Sequence, residues 1–428
     1  MTNYVFSLSS ILIWCMLIYH IGLMQGGFFH SLSFFRRSKT FKVVPDEALP
    51  TVSILIPAHN EEVVIYDTLI AMTKLYYPKN KLEIIVVNDN CSDETTPICQ
   101  LLASRYSNIK VVETREPFKG KGKSSALNEG LQHSTGDVIV VYDADNMPEK
   151  YAVYHLAVAL MKDPQAGAVV GKFRVVNATK NLLTRFINIE TLCFQWMAQA
   201  GRWFWFKMCT IPGTNFAIRR SILESLGGWD VKALSEDTEL SIRVYNLGYY
   251  IRFYPRAITW EQEPESWRVW WRQRTRWARG NLYVVVKYVK GFRNLEHKKV
   301  YIDLIYLFYT YVLFLVGVLL SNGLLIANLL FDLHLQHGGT MLTLMVLAFC
   351  IFLTQVSLAL AIETNQLTVK NVLVLFLMYF TYSQIWILLV IHASFLEFKR
   401  MVFKQEIKWY KTARFEQKPQ VEKERGVS

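Results

Sequence analysis

Four apolar stretches constrain this chain before anything else does. Residues 5–24, 302–331, 341–362 and 372–395 each supply about the 20 residues a helix needs to cross the hydrocarbon core of a bilayer. Part of the chain must lie in lipid. The overall balance, 52% hydrophobic with only 19% charged, excludes a disordered chain and an ordinary soluble enzyme. No basic run precedes the first stretch, as it would in a cleaved signal; Arg36, Arg37, Lys39 and Lys42 follow it instead. That helix is expected to stay, with its carboxyl end in the cytoplasm.

Lys287, Lys290, Arg293, Lys298 and Lys299 precede the second stretch and place the middle of the chain on the same side. Three crossings after it would put the tail outside. Yet the tail carries Lys399, Arg400, Lys404, Lys408, Lys411 and Arg414. Either one late stretch is re-entrant or interfacial, with Ser321-Asn322-Gly323 as the expected break, or the charge rule fails for the tail; the tail is read as cytoplasmic. The organisation expected is then a spanning helix (about 5–24) and basic linker over 1–49 and a cytoplasmic domain over 50–290. A membrane region over 291–395 and a basic tail over 396–428 complete it.

A net charge of +12 fits nucleic acid, an anionic membrane surface or a phosphorylated substrate. Six cysteines without a Cys-x-x-Cys pair exclude a zinc ribbon and a disulfide scaffold, and fit a reducing compartment. In the middle, residues 51–56, 83–87 and 137–142 are short β-branched runs separated by helical patterns. That order argues for a parallel sheet with its ligand at the carboxyl ends of the strands. Residues 182–208 and 267–288 interleave Trp, Phe and Tyr with Arg and Lys, the composition of helices lying in a membrane interface; an aromatic core helix is the alternative.

The polar motifs fall at strand ends. His59-Asn60-Glu61-Glu62 follows the first strand and Asn88-Asp89-Asn90 ends the second; such loops bind nucleosides or serve as Asx turns. Gly122-Lys123-Ser124 matches the end of a Walker A motif, but Pro117 stands where its first glycine belongs, so an ATPase is rejected. Lysines before a helix still suit a diphosphate, or simply solvent. Asp143-Ala144-Asp145 emerges from an apolar strand as paired hard carboxylates, which suits a divalent cation shared with phosphate oxygens. Ser235-Glu236-Asp237 opens a helical run, where an acid could take a proton or merely complement the helix dipole. Gln273-Arg274-Thr275-Arg276-Trp277 combines guanidinium groups with indole rings, and its place before a spanning stretch argues against nucleic acid.

In this order the motifs resemble the processive inverting glycosyltransferases of family 2, which include cellulose, chitin, hyaluronan and poly-N-acetylglucosamine synthases. Asp143-Ala144-Asp145 matches their Asp-x-Asp, Ser235-Glu236-Asp237 their Thr-Glu-Asp with Ser for Thr, and Gln273 to Trp277 their Gln-x-x-Arg-Trp. Gln199-Ala200-Gly201-Arg202-Trp203 satisfies the last pattern too, but precedes Ser235 and so falls out of order. The resemblance implies a GT-A-type, Rossmann-like α/β cytoplasmic domain with interface helices, flanked by transmembrane helices. It implies Asp237 as the catalytic base, and Asp89, Lys123, Asp143, Gln273 and Arg276 on the nucleotide and donor. It further implies Glu236 and Trp277 on the acceptor, and Asp145 with Asp143 on Mg²⁺ or Mn²⁺. Asn128 and the segment from Gly213 to Arg220 fall where the family also meets the donor.

The partners implied are a UDP-sugar, of which UDP-N-acetylglucosamine is the expected one, a growing β-linked polysaccharide acceptor, the lipid bilayer and, as an open question, accessory membrane subunits; nucleic acid is not among them. Two rival readings stay open: a non-processive transferase placing one sugar on a lipid phosphate, and an inactive membrane partner of another synthase.

Overall fold

The computed structural model describes residues 2–37, 44–290, 295–331 and 338–403. Lys39, Lys42, Arg293 and the basic positions from Lys404 onward lie outside them. In chain order the helices are α1 (Thr2–Arg37), α2 (Ile65–Thr73), α3 (Thr95–Arg105), α4 (Lys123–Gln132), α5 (Ala152–Met161), α6 (Leu182–Cys193), α7 (Arg202–Phe206) and α8 (Arg220–Ser225). There follow α9 (Glu236–Asn246), α10 (Trp267–Lys290), α11 (Lys298–Phe308), α12 (Phe314–Phe331), α13 (Gly338–Ile362), α14 (Val369–Phe380) and α15 (Tyr382–Phe403). The strands are β1 (Val52–Ala58), β2 (Leu82–Asn88), β3 (Ile109–Glu113), β4 (Val138–Val141), β5 (Met147–Pro148), β6 (Ala166–Val175), β7 (Phe216–Arg219) and β8 (Tyr250–Glu261). The chain forms two compact units, an α/β unit (40–188, 207–273) and a helical unit (1–39, 189–206, 274–405).

The α/β unit is one eight-stranded sheet in the order β3-β2-β1-β4-β7-β6-β8-β5. β3, β2, β1 and β4 are parallel, and the inner three, β2, β1 and β4, carry the apolar runs of strands buried on both faces. Val52, Ile54, Leu55 and Ile56 are all fully buried. Beyond β4 the sheet becomes mixed, since β7 is antiparallel to both β4 and β6. β8 alternates buried and half-buried residues along its length, as a strand with only one covered face does.

One carboxylate ties the parallel half together. Glu83 Oε1 accepts from Ser53 Oγ at 2.5 Å and Thr135 N at 2.6 Å, while Oε2 accepts from Lys110 Nζ at 2.6 Å. Burial would raise this carboxyl, but Lys110, Ser53 and Thr135 together hold it at about 2, below its ordinary 4.5. A depressed folded-state value stabilises the fold above about pH 4.5, and that contribution disappears as pH falls towards 2. Glu83→Gln is therefore expected to cost about 2 kcal/mol at neutral pH. Denaturant unfolding of the two proteins should converge towards pH 2; a gap independent of pH would show that the charge contributes nothing.

Among the described residues, the helical unit contains three helices long and apolar enough to span, over Asn3–Arg36, Lys298–Asn328 and Leu342–Ile362. α1 far exceeds the expected 5–24: its 36 residues run about 54 Å, against a hydrocarbon core of about 30 Å. Arg36 and Arg37 thus belong to the helix and not to a linker. The expected break at Ser321-Asn322-Gly323 is not one, because α12 runs straight through it. A run of apolar residues can hide a bend but cannot show where it falls. The discontinuities are a π-helical turn over Tyr309–Leu313 and a 41° bend at Thr381 between α14 and α15. The last apolar stretch is thus a bent pair.

The aromatic segments are partly reassigned. Trp196, Trp270 and Arg274 are fully buried and Arg202 nearly so, each packed among protein atoms, whereas Trp205, Trp267 and Trp277 remain exposed. Around Trp196 the helix widens into a π-helix, Phe194–Gly201, between α6 and α7. Close approach of α1 explains the glycines there: a Cβ on Gly27 would lie 1.8 Å from the Trp196 carbonyl oxygen, and one on Gly201 2.0 Å from that of Leu23. At the far end of α15, Glu397 accepts from Arg400 Nε at 2.8 Å and faces Arg279 of α10 at 3.6 Å.

Candidate active site

The loops after β1 and β2 are knit by Asx chemistry. Asn60 Oδ1 accepts from Ser92 N at 2.7 Å and Asn88 Oδ1 from Cys91 N at 3.1 Å, with Asn60 and Asn90 at positive φ. Asp89 is buried between them. Its Oδ1 accepts from Thr114 Oγ1 at 2.9 Å and from the Gly120 amide at 2.7 Å. One carboxylate oxygen therefore fixes the loop of lysines ahead of α4. Oδ2 has no partner among the described residues.

Lys123 opens α4 and is the hub of the site. Its Nζ donates to Asp143 Oδ1 at 2.5 Å and to the Gly213 carbonyl at 2.9 Å, with Glu236 Oε1 at 3.8 Å. Burial lowers its pKa, but Asp143, Glu236 and Asp237 outweigh that and leave it raised, so the ammonium stays charged. One cation thereby joins the end of β4, the loop before β7 and the start of α9. Asp237 belongs to the same cluster: a Cβ on Gly213, which sits at φ 83°, would be 2.9 Å from Asp237 Oδ2 and 3.5 Å from Lys123 Nζ. Only glycine leaves that space open.

The two aspartates after β4 differ. The Asp143 side chain is 32% exposed, while Asp145 is buried. Their loop is held from below by residues that spacing did not reveal. The Asp143 amide donates to Asn146 Oδ1 and Thr214 Oγ1, both at 3.1 Å, and Thr214 Oγ1 in turn bonds Asn146 Oδ1. Tyr142 donates to Asn215 Oδ1 at 3.0 Å, and Asn215 Nδ2 donates to the carbonyls of Lys172 and Ala257. Thr214 and Asn215 lie in the segment that resembled a donor site; here they carry the loop that presents the acids. Asn128 is also structural: its amide clamps the Trp229 backbone through bonds of 2.8 and 2.9 Å.

The acids opening α9 divide their work. Glu239 is fully buried and paired with Arg243 at 2.7 Å, a structural ion pair. Glu236 is buried beside Lys123. Asp237 is half-buried; its Oδ1 accepts from the Thr238 amide at 2.7 Å, which orients the carboxylate and leaves Oδ2 towards Gly213.

Gln273 is the last residue of the α/β unit's part of α10, and Arg276 and Trp277 lie on its continuation in the helical unit. There Trp277 is 38% exposed and the Arg274 guanidinium lies 4.0 Å from its ring centre. The out-of-order copy of the motif is structural instead. Arg202 forms a buried ion pair with Asp303 and stacks on Tyr306 at 4.9 Å.

Among the described residues no three His, Cys, Asp or Glu side chains converge on a point that could hold a metal. The donors present at the end of β4 are hard carboxylate oxygens. A cation that completes its shell with diphosphate oxygens and water needs one or two of these, so the residues fit Mg²⁺ or Mn²⁺ on those terms.

These features define a GT-A-like glycosyltransferase domain joined to apolar helices. A family model described as "Glycosyltransferase like family 2" matches residues 50–280, and the chain belongs to that family. It is 62% identical over 417 residues to a "Probable glycosyltransferase YdaM" of Bacillus subtilis, covering 97% of this chain and 99% of that protein. It is 30% identical over 236 residues to the poly-beta-1,6-N-acetyl-D-glucosamine synthase of Staphylococcus epidermidis, a match spanning 55% of this chain and 56% of the synthase. Among solved structures it resembles the mannosyltransferase PcManGT of Pyrobaculum calidifontis, in complex with GDP-Man and Mn²⁺, with TM-score 0.57 and 21% identity over 85% of this chain and 99% of that one. That likeness bears on the fold.

Proposed function

We propose that the chain is a membrane-embedded inverting transferase that moves N-acetylglucosamine from its UDP donor to a growing β-linked polysaccharide and helps to export the product. The observation that carries this reading is the Lys123 cluster, in which one largely enclosed ammonium gathers Asp143, Glu236 and the Asp237 carboxylate around the mouth opened by Gly213. The partial match to a poly-N-acetylglucosamine synthase supports the sugar.

In the reaction an acceptor hydroxyl oxygen attacks the anomeric carbon as the bond to the diphosphate oxygen breaks. Asp237 Oδ2 takes the hydroxyl proton, and the electron pair leaves with UDP. Lys123 balances charge on the diphosphate side, Asp89 Oδ2 meets the nucleoside, and Gln273 and Arg276 close over the diphosphate. Glu236 and Trp277 receive the acceptor. Asp143 and Asp145 would hold a divalent cation, which would supply charge neutralisation for the leaving diphosphate; the Mn²⁺ bound with GDP-Man in the Pyrobaculum enzyme is in keeping with this.

Purified protein with Mg²⁺ or Mn²⁺ should turn over UDP-N-acetylglucosamine, releasing UDP, faster than it turns over other UDP-sugars or releases GDP from GDP-mannose, and radiolabelled products should be polymers. A product carrying one sugar on a lipid would overturn processive synthesis, and silence with every donor would favour an inactive partner role.

We also propose that the catalytic unit and the tail are cytoplasmic. The carboxyl end of α15 is tied through Glu397 to Arg279 of α10, and the tail that follows is basic. A green fluorescent protein fused at the carboxyl terminus should fluoresce in a bacterial host, where an alkaline phosphatase fusion should stay inactive; the opposite pair of outcomes would place the tail outside.

A further inference from the structure

Trp277 is held by a chain of contacts that the proposed reaction does not itself use. The Arg274 guanidinium covers one face of its indole, 4.0 Å from the ring centre. Arg274 is fully buried, and its Nη2 and Nε donate to Glu190 Oε2 at 2.9 and 3.3 Å. The same oxygen accepts from the Tyr382 hydroxyl at 2.6 Å. Tyr382 is itself fully buried and is the first residue of α15, directly after the bend at Thr381. The four residues come from α6, α10 and α15, all within the helical unit.

The geometry suits an aromatic platform. A sugar stacks on one face of an indole, so the ring must be fixed in orientation while that face stays accessible. Arg274 occupies one face and leaves Trp277 38% exposed. Guanidinium is suited to this, since its plane stacks on the ring while its edge makes paired hydrogen bonds to a carboxylate. A lysine could supply the charge but not the plane. Glu190 neutralises the buried cation and sets its rotation, and Tyr382 takes up a second lone pair of the same oxygen, which restrains Glu190 in turn.

We propose that Glu190, Arg274 and Tyr382 are positioning residues that hold Trp277 as the acceptor platform. This rests on the proposed polysaccharide transfer. It also makes the seat of the acceptor depend on how α15 docks after its bend, because withdrawal of Tyr382 frees one side of Glu190.

The test is acceptor kinetics with UDP-N-acetylglucosamine as donor and a β-1,6-linked N-acetylglucosamine oligosaccharide as acceptor, using the full chain in detergent. Glu190→Ala is expected to raise the acceptor KM by about tenfold, with a smaller change in kcat. Glu190→Gln, which keeps an oxygen for Tyr382 and Arg274, should recover most of it. Arg274→Lys should resemble Glu190→Ala, and Tyr382→Phe should give a rise of about threefold. A fall in thermal stability and kcat with the acceptor KM unmoved would overturn the proposal.

A second measurement does not depend on turnover. In protein labelled with 5-fluorotryptophan, the ¹⁹F signal of Trp277, identified by its loss in Trp277→Phe, should shift and broaden in Glu190→Ala and return towards its place in Glu190→Gln. An unchanged signal would mean that the ring is not held this way. Wild-type protein that gives the expected ¹⁹F responses but transfers no sugar would instead sink the proposed polysaccharide transfer and leave the ring-holding contacts standing.

Discussion

Asp237→Asn is expected to lower the rate of sugar transfer by about 10²–10⁴-fold, the range by which a positioned general base accelerates a reaction, while UDP binds as before. The amide replaces the carboxylate with almost the same shape, so the first turn of α9 and the contact at Gly213 survive. What disappears is the basic lone pair that the proposed reaction assigns to the acceptor proton. Lys123 keeps Asp143 at 2.5 Å and Glu236 at 3.8 Å, so the ammonium proposed to meet the diphosphate stays anchored. Single-turnover transfer and calorimetric titration with UDP would separate the two effects. Equal losses in both would mean that Asp237 holds the donor and takes no proton.

Arg202→Leu is expected to be the most damaging substitution in the helical unit. The Arg202 and Asp303 side chains are 3% and 1% exposed, and Asp303 lies within the candidate span Lys298–Asn328. Asp303 Oδ2 is buried with no hydrogen-bond partner among the described residues, so its compensation comes through the ion pair. Removing one partner of such a pair typically costs about 3–5 kcal/mol, because the other charge stays buried alone. That corresponds to a fall in melting temperature on the order of 10 °C. The double variant Arg202→Met with Asp303→Leu removes both charges and should regain most of the loss. Thermal unfolding in detergent measures this, and a double variant as unstable as the single one would place the cost in packing and not in the stranded carboxylate.

The pair also shows how far spacing can be trusted. Gln199 to Trp203 and Gln273 to Trp277 fit one five-residue pattern, and their arginines end in different surroundings. Arg202 faces Asp303 across a buried helix contact. Trp277 stays exposed under a stacked guanidinium. Chain order set the two copies apart, but only the packing shows what the first one does. Asn128 is a similar case: its distance from Lys123 suited a donor contact, yet its amide is used on the Trp229 backbone.

The sequence by itself determined three of the four strands in the parallel half of the sheet, the acidic motifs at strand and helix ends, and the apolar stretches. Each of these is a local record: β-branched runs, carboxylates following them, and lengths matched to a bilayer. Tertiary structure alone decided that Lys123 joins three loops from distant parts of the chain, that Thr214 and Asn146 brace the Asp143 loop, and that the last apolar stretch bends at Thr381 and not at Ser321 to Gly323. Such features depend on which partner a side chain meets across tens or hundreds of residues, and neither periodicity nor composition carries that information. A lysine enclosed by carboxylates and a solvated one have the same letter; the side chains folded against it make the difference.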